Sequence, residues 1–331
     1  MSKAGVGTLV TEEHELGTVA LDLFTRPEIE STQITGRPQT IYMHTPISDA
    51  GPFEFIVPSD SNDYISLDQT TLYGEVQVKK VDGTDFADTD IVSLVNNFPQ
   101  TLFRQVEVYL NNVCVSDLST PTYAYKAFIE NHLTYDEDIK LTTLRAKEMY
   151  VKDSIGTEAN ITNALKGDTG FKTRREKMKK KICFDMKLHC DFLGSQRYLL
   201  PGVEMKIKLI RNDDAFSLMA VKSDYKISMN KLELNVRIVA IEPQISQSIE
   251  NKLSSTPALY PIANSKIRTY LLNSGIQSQH IAQIIRGKLP RSFIFGLVPA
   301  KAFDGDITFN PFQFKHLHIN YLNVCINDEP I

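Results

Sequence analysis

The fold is decided most clearly by the stretch KLELNVRIVA, residues 231–240, in which polar and apolar side chains alternate. Leu232 and Leu234 fall on one side of an extended chain there, and Glu233 and Asn235 fall on the other. Side chains along a strand point alternately to the two faces of its sheet. The stretch therefore predicts a strand with one face in a core and the other in water, as many antiparallel sheets have.

The same alternation recurs along much of the chain. It is found in the stretches 53–57, 76–78, 106–110, 182–190 and 203–209. The pair Asp82-Gly83 follows the second of these stretches and Asn111-Asn112 follows the third, and both pairs favour tight turns. Many short strands with few helices between them predict a sandwich or barrel and not a βαβ fold.

Apolar residues recur at the spacing of a helix only in short stretches. It predicts helices over 123–133, 141–149 and 245–253, and a short helix near 12–24. The fold class predicted from the residues is therefore all-β, with a few short helices in loops.

Changes in composition divide the chain. Residues 1–40 are polar and weakly patterned, and Ser and Pro cluster around 243–258. A run rich in Gly, Asn, Thr and Ser at 150–171 predicts a long loop inside a β domain. We therefore predict four parts: an N-terminal arm at 1–40, a first domain at 41–243 with a long insertion around 116–181, a linker at 244–258, and a second strand-rich domain at 259–331. The clearest predicted strands of the second domain are 292–298 and 314–326.

The overall composition excludes several classes of protein. The net charge of −4 gives the 331-residue chain no overall basic field that would attract nucleic acid. Its four cysteines, Cys114, Cys183, Cys190 and Cys325, are too few for a disulfide scaffold, so we expect free thiols in a reducing compartment. Residues 1–16 lack the apolar core of a signal peptide, so secretion is not expected. No window of about 18 apolar residues predicts a membrane span.

Common catalytic motifs are missing from the sequence. Neither a GxSxG elbow nor a phosphate-binding GxxxxGK loop occurs, and the pair His14-Glu15 lacks the second histidine of a zinc protease because residue 18 is Thr18. The sequence therefore predicts no enzyme, no catalytic residue and no cofactor.

Two groups of residues resemble partial metal sites. In a strand over 182–190, Cys183 and His189 face one side and Cys190 faces the other, so one metal ion cannot easily bind all three. His316 and His318 share a strand face, but no third ligand lies near them in the sequence. We therefore assign no metal ligand.

The stretch KTRREKMKKK at 172–181 is the sharpest charge feature of the sequence. Its basic residues are Lys172, Arg174, Arg175, Lys177, Lys179, Lys180 and Lys181. Three interpretations stay open: a patch that contacts nucleic-acid phosphates, a charged lip against an acidic neighbouring subunit, or a solvated loop whose charges protect a strand edge from aggregation. Aromatic residues do not interleave with the charges, so stacking on single-stranded bases is not predicted.

Seven stretches resemble one family of viral proteins. They are YISLDQT at 64–70, VEVYLN at 106–111, YAYKAFIE at 123–130, LHCDF at 188–192, LLPGV at 199–203, GKLPR at 287–291 and NPFQF at 310–314. In order and spacing these stretches are similar to the double jelly-roll major capsid proteins of Polinton/Maverick elements and adintoviruses, including their copies in animal genomes. The resemblance covers roughly residues 40–331.

The resemblance implies a fold and a function. The fold is a double jelly-roll, with two antiparallel β-sandwiches side by side, of which the second is incomplete because family members usually run well past residue 326. The function is that of a structural capsid subunit, which forms trimeric pseudo-hexagonal capsomers of an icosahedral shell. The implied partners are other copies of the chain and a minor capsid (penton) protein. The implied location is the virion capsid, assembled in the cytoplasm or nucleus of a host cell.

Two other classes of function stay open on the sequence. One is a non-catalytic β-sandwich module that binds a glycan or a protein. The other is a hydrolase on a jelly-roll scaffold, which would need a convergent set of side chains around His316 and His318.

Overall fold

The computed structural model describes residues 33–44, 46–48, 51–58, 62–116, 122–153, 161–285, 290–326 and 329–330. Within these residues the strands are β1 (Gln33–Tyr42), β2 (Phe53–Val57), β3 (Tyr64–Lys80), β4 (Val92–Leu94), β5 (Phe103–Leu110), β6 (Val113–Cys114), β7 (Ile182–Lys187), β8 (Met205–Arg211), β9 (Leu218–Ala220), β10 (Tyr225–Ile241), β11 (Cys325–Ile326) and β12 (Glu329–Pro330). The predicted helix near 12–24 lies outside the described residues.

Two four-stranded antiparallel sheets, in the orders β1-β10-β3-β7 and β2-β8-β5-β6, form a sandwich. Among these strands the first in the chain pairs with the last, the second with the seventh, the third with the sixth, and the fourth with the fifth. This is the pairing of one long antiparallel hairpin rolled into two facing sheets, which is a jelly roll. The predicted all-β class with few short helices is confirmed.

The core lies between the two sheets. Phe55, Leu72, Ile207 and Leu234 are fully buried there, at 0% exposure, and each belongs to a strand with the alternating pattern. Burying a side chain of this size contributes about 1.5–3 kcal/mol relative to leaving it in water. The alternation therefore places one apolar residue in two from each strand between the sheets, which holds the sandwich together.

β1 begins at Gln33, inside the region predicted as an N-terminal arm at 1–40. It pairs antiparallel with β10, with Ile41 opposite Leu234 and Gln33 opposite Ile241. Most of its side chains are exposed because it lies at the edge of the sheet. An edge strand with few apolar residues gives little alternation, so the sequence pattern did not reveal it.

The insertion between β6 and β7 is largely helical in its described residues. It contains α2 (Tyr123–Thr134), α3 (Glu137–Ile139), a π-helical turn (Lys140–Leu144), α4 (Arg145–Lys147), α5 (Ile161–Gly167) and α6 (Thr169–Met178). The predicted helix over 123–133 is confirmed, and the one over 141–149 corresponds to the π-helical turn and α4. The loop predicted over 150–171 is partly replaced by α5 and α6. Outside the insertion, α1 (Phe98–Thr101) and α7 (Asp214–Ser217) are single turns, α8 (Pro243–Leu253) confirms the helix predicted over 245–253, and α9 (Ala300–Phe303) is short.

The chain after α8 differs from the prediction. No strand forms at 292–298, and within 314–326 only Cys325 and Ile326 belong to a strand, which pairs with β12. The two predicted strands do approach each other, because the Lys315 N–H donates to the Leu297 carbonyl at 2.8 Å. A strand needs neighbouring strands for its ladder of hydrogen bonds, and the described residues offer these segments no such ladder.

Candidate functional site

The predicted basic run lies mainly on α6, and one of its two arginine side chains is inside the protein. Arg174 is 0% exposed. Its guanidinium donates to the Leu94 carbonyl at 2.8 Å and to the Val151 carbonyl, and it pairs with Asp153. Arg174 therefore ties α6 to β4 and to the chain beyond α4, and it is not part of any external contact surface.

Two further members of the run bind acidic loop residues within the chain. Arg175 donates to the carbonyls of Asp88 and Asp90, at 2.8 Å for the latter. Lys179 pairs with the Asp88 carboxylate at 2.8 Å and with Glu176 at 2.9 Å. These contacts fix the loop after β3 against the C-terminal end of α6.

The remaining members of the run reach solvent. Lys181 pairs with Glu75 at 2.5 Å across the edge of the first sheet. Lys172, Lys177 and Lys180 are exposed, and none of them forms an ion pair with another described residue. The structure therefore divides the seven predicted residues into two groups. The internal group binds other described residues through its charges, and the external group forms no ion pair with them. The internal group is Arg174, Arg175, Lys179 and Lys181, and the external group is Lys172, Lys177 and Lys180.

Arg145 extends the external group, and sequence reasoning missed it because it lies far from the run along the chain. The Lys177 ammonium donates to the Arg145 carbonyl at 3.4 Å. Burial lowers the pKa of Lys177, and the nearby Arg145 guanidinium lowers it further. The two basic residues are thus in contact, and neither forms an ion pair within the part of the chain that the structure describes.

The partial metal sites are not assembled. Cys183 is exposed on the outer face of the first sheet, whereas Cys190 is largely enclosed and burial raises the pKa of its thiol. The rings of His316 and His318 lie 5.7 Å apart and nearly perpendicular. Across the described ranges no three His, Cys, Asp or Glu side chains are placed to hold a metal ion.

A buried polar network joins the insertion to the first sandwich, and no sequence pattern predicted it. The Tyr123 hydroxyl donates to Gln100 Oε1 at 2.6 Å and accepts from the His189 N–H at 3.2 Å. Gln100 Nε2 and Asn131 Nδ2 both donate to Glu148 Oε2, at 3.1 and 2.9 Å. Because these donors and acceptors satisfy one another away from water, the network fixes α2 to the sheets.

Next to this network lies a cleft of about 520 Å³ whose lining includes Glu130, His189 and Asp191. His189 Nδ1 lies 2.7 Å from Glu130 Oε2, and Lys126 Nζ lies 2.5 Å from Asp191 Oδ1. The other Asp191 oxygen accepts from the Ser265 N–H at 2.9 Å, so the chain after α8 runs across the cleft. Each of these four side chains thus contacts another described residue, and the raised thiol pKa of nearby Cys190 disfavours a thiolate nucleophile.

The chain after α8 contacts the sandwich and its insertion at several places, among them Tyr260 and Phe312. The Tyr260 hydroxyl donates to the Tyr198 carbonyl at 3.0 Å and accepts from the Leu200 N–H at 3.2 Å. Further on, Phe312 stacks on Phe128 at 4.2 Å between ring centroids. Between and beyond these attachments, large apolar side chains stay exposed: Tyr270, Leu271, Leu272, Ile276, Ile285, Phe293, Ile294, Phe295, Leu317, Ile319, Tyr321 and Leu322. Such a concentration of exposed apolar side chains marks an interaction surface.

None of the helices in the described residues is long and apolar enough to cross a membrane.

The solved structures to which the chain is similar include viral capsid proteins. The PBCV-1 virus capsid matches with a TM-score of 0.41 and 12% identity over 68% of this chain. The Faustovirus major capsid protein matches with a TM-score of 0.41 and 9% identity over 70%. The mavirus major capsid protein matches with a TM-score of 0.37 and 12% identity over 68%. The chain spans about half the length of these proteins, namely 46%, 58% and 50%.

A curated protein from Caenorhabditis elegans, itself named as uncharacterized, is similar over more of the chain. It is 25% identical over 301 residues, which are 85% of this chain and 68% of the nematode protein. No family model matches the chain.

Proposed function

We propose that this chain is a structural, non-catalytic major capsid protein of a DNA virus or virus-like element of the Polinton/Maverick and adintovirus type. The observation that carries the proposal is the rolled pairing of strands in two facing sheets, from β1 with β10 to β5 with β6. A rigid sandwich of this kind supplies a wall, and the loops and helices at its ends supply contacts. The proposed assembly is a trimeric pseudo-hexagonal capsomer in an icosahedral shell.

Residues 259–331 supply, on this proposal, part of a second jelly roll beside the first. The exposed apolar stretch around Phe293 and Phe295 supports this, because such side chains would fill the core of a second sandwich. Gly296 supports it as well, since a Cβ at this position would lie 2.9 Å from the Phe314 ring. The bond from the Lys315 N–H to the Leu297 carbonyl also supports it, because it brings the two predicted strands together as neighbours in one sheet would be.

The proposed partners are other copies of this chain and a minor capsid (penton) protein. The proposed location is the virion capsid, assembled in the cytoplasm or nucleus of a host cell. Contact with nucleic acid is the weaker part of the proposal, because the internal bonds of Arg174, Arg175 and Lys179 leave few free cations in the predicted basic run.

Size-exclusion chromatography with light scattering, followed by negative-stain imaging, tests the assembly. We expect a mass near three times 37.4 kDa, or closed shells. A monomer at all concentrations up to the millimolar range would contradict the proposal. Hydrogen exchange over 292–298 is the companion measurement, and we expect stronger protection in the assembled fraction than in the monomer.

The cleft favours one alternative, a β-sandwich module that binds a glycan or a protein without catalysis. Its lining includes Tyr135, His189, Gln196 and Arg197, which combine an aromatic ring with hydrogen-bonding groups. A glycan array followed by calorimetry tests this function. Binding that is lost in Arg197→Ala, in a chain that stays monomeric, would favour the module over the capsid subunit.

A further inference from the structure

Residues 300–313 are a buried stretch within an otherwise exposed part of the chain. Asn310 and Phe312 are buried there, at 1% and 6% exposure. By contrast, none of the described residues in 261–299 or 314–325 is buried. The stretch therefore contacts the rest of the protein as a short bound peptide would, with an exposed connection on each side.

The elements around the stretch hold its backbone at two consecutive residues. The N–H of Ile161, the first residue of α5, donates to the Thr308 carbonyl at 2.8 Å. The N–H of Ala220, the last residue of β9, donates to the Ile307 carbonyl at 2.9 Å. Main-chain bonds of this kind give a bound peptide its affinity and fix its register.

The side chains of the stretch enter an aromatic pocket. The Phe312 ring stacks on Phe128, with 4.2 Å between the centroids. It also meets the Tyr125 and Phe216 rings edge-on, at 5.6 and 6.2 Å. The Phe303 ring stacks on Tyr125 at 5.4 Å. Stacked and edge-on rings at these distances attract one another, so the pocket favours aromatic side chains.

One buried hydrogen bond adds selectivity. Asn310 Nδ2 donates to Asp153 Oδ2 at 2.9 Å, and the other Asp153 oxygen pairs with Arg174. An apolar side chain in place of Asn310 would leave a largely buried carboxylate oxygen without this donor, which is unfavourable. The residues that surround the stretch are together called the anchor groove: Tyr125, Phe128, Asp153, Ile161, Phe216 and Ala220.

The Tyr125 hydroxyl is an unfavourable part of this packing. It is buried and has no hydrogen-bond partner among the described residues. Burial raises the pKa of Tyr125, so the hydroxyl keeps its proton and lacks an acceptor for it. A buried hydroxyl without a partner opposes the state that buries it. Departure of Phe303 and Phe312 from the Tyr125 ring would admit water and remove this cost.

We propose that the anchor groove is a peptide-binding site, and that residues 300–313 are its own ligand, bound reversibly. The class of ligand is a short segment that carries two phenylalanines with an asparagine between them, as in Phe303, Asn310 and Phe312. The bound stretch attaches the second predicted domain, 259–331, to the insertion of the first. This inference goes beyond the proposed capsid function and does not depend on it.

A synthetic peptide with the sequence of residues 300–313 and a fluorescent label tests the site by anisotropy on the full chain. In the unaltered chain the attached stretch competes with the peptide, so we expect weak binding. Phe312→Ala in the chain weakens this competitor and leaves the anchor groove intact, so we expect the peptide to bind at least about tenfold more tightly. Phe293→Ala, the same change at a residue that is 46% exposed, is the matched control and leaves the affinity unchanged.

Tyr125→Phe separates reversible binding of the stretch from ordinary core packing. Removal of the unpaired hydroxyl stabilises the bound state, so we expect amide hydrogen exchange over 300–313 to slow at least about fivefold. Phe312→Ala should speed the same exchange. Exchange in β10 should stay unchanged in both variants, because the stretch opens without unfolding of the sandwich. Tyr321→Phe, at a tyrosine that is 79% exposed, is the control and leaves the exchange of 300–313 unchanged.

Three outcomes would overturn the peptide-binding site. The first is a Phe312→Ala chain that keeps slow exchange in β10 and yet gains no affinity for the peptide. The second is faster exchange over 300–313 in Tyr125→Phe. The third is equal exchange of 300–313 and β10 in the unaltered chain, which would make the stretch an inseparable part of the core. The mass of the assembled protein enters none of these results, so a failure of the capsid proposal is seen separately.

Discussion

At the scale of single residues, Arg174 is a charged side chain that stabilises the protein interior. It combines 0% exposure with bonds to the Leu94 and Val151 carbonyls and an ion pair with Asp153. We expect Arg174→Leu to lower the free energy of unfolding by about 3–5 kcal/mol, because the Asp153 charge would lose its partner. Urea denaturation measures this. Lys172→Leu, an exposed member of the same run, should stay within about 0.5 kcal/mol of the original, and equal losses in both variants would contradict a structural role for Arg174.

Glu75 gives stability a dependence on pH. Its bonds to Lys181 and Tyr73 lower the pKa of the carboxyl below its ordinary value of 4.5. A carboxyl whose pKa is lower in the folded state stabilises the fold above its unfolded pKa, and this contribution is lost as the pH falls through the folded pKa. We therefore expect the difference in stability between the original chain and Glu75→Gln to shrink as the pH falls below 4.5. Chemical denaturation between neutral pH and pH 3 checks this, and a difference that grows toward acid would contradict it.

At the scale of elements, α2 is held against the sheets by the buried hydroxyl group of its first residue, Tyr123. Tyr123 bridges the Gln100 side chain and the His189 N–H. We expect Tyr123→Phe to destabilise the fold by about 1–3 kcal/mol, because both groups would stay buried without their partner. Hydrogen exchange should show faster opening of α2 than of β10. Tyr42→Phe, at a tyrosine that is 70% exposed, is the control and should leave both unfolding and exchange unchanged.

The sequence predicted some strands and helices correctly and missed others. The strands with strict alternation, such as β8 and β10, were predicted because each buries one face. β1 and α6 were not predicted, since β1 is an exposed edge strand and α6 is dominated by charges. No strand formed at 292–298, and only residues 325–326 of the strand predicted at 314–326 did, because a sequence pattern shows what could pair but not whether a partner is present.

At the scale of the whole molecule, we propose that the exposed apolar stretch 293–295 serves assembly and not the first sandwich. Phe293 is 46% exposed and Phe295 is 44% exposed. We expect Phe293→Asp/Phe295→Asp to leave the unfolding free energy of the monomer within about 1 kcal/mol and to reduce the yield of trimers or shells. Val81→Asp, in an exposed turn of the first sandwich, is the matched control. Unchanged assembly in the double variant would contradict the proposed second roll.

The sequence by itself determined the fold class of this protein, which is all-β. A period of two in strand after strand requires a sheet with a buried face, and the missing catalytic motifs gave no enzyme to predict. Tertiary structure decided which charges and polar groups act together. Only folding encloses Arg174 against β4, brings Arg145 beside Lys177 and joins Gln100 to Glu148. The physical reason is range: periodicity acts between neighbours along a strand, whereas burial and ion pairing join residues that are far apart in the chain.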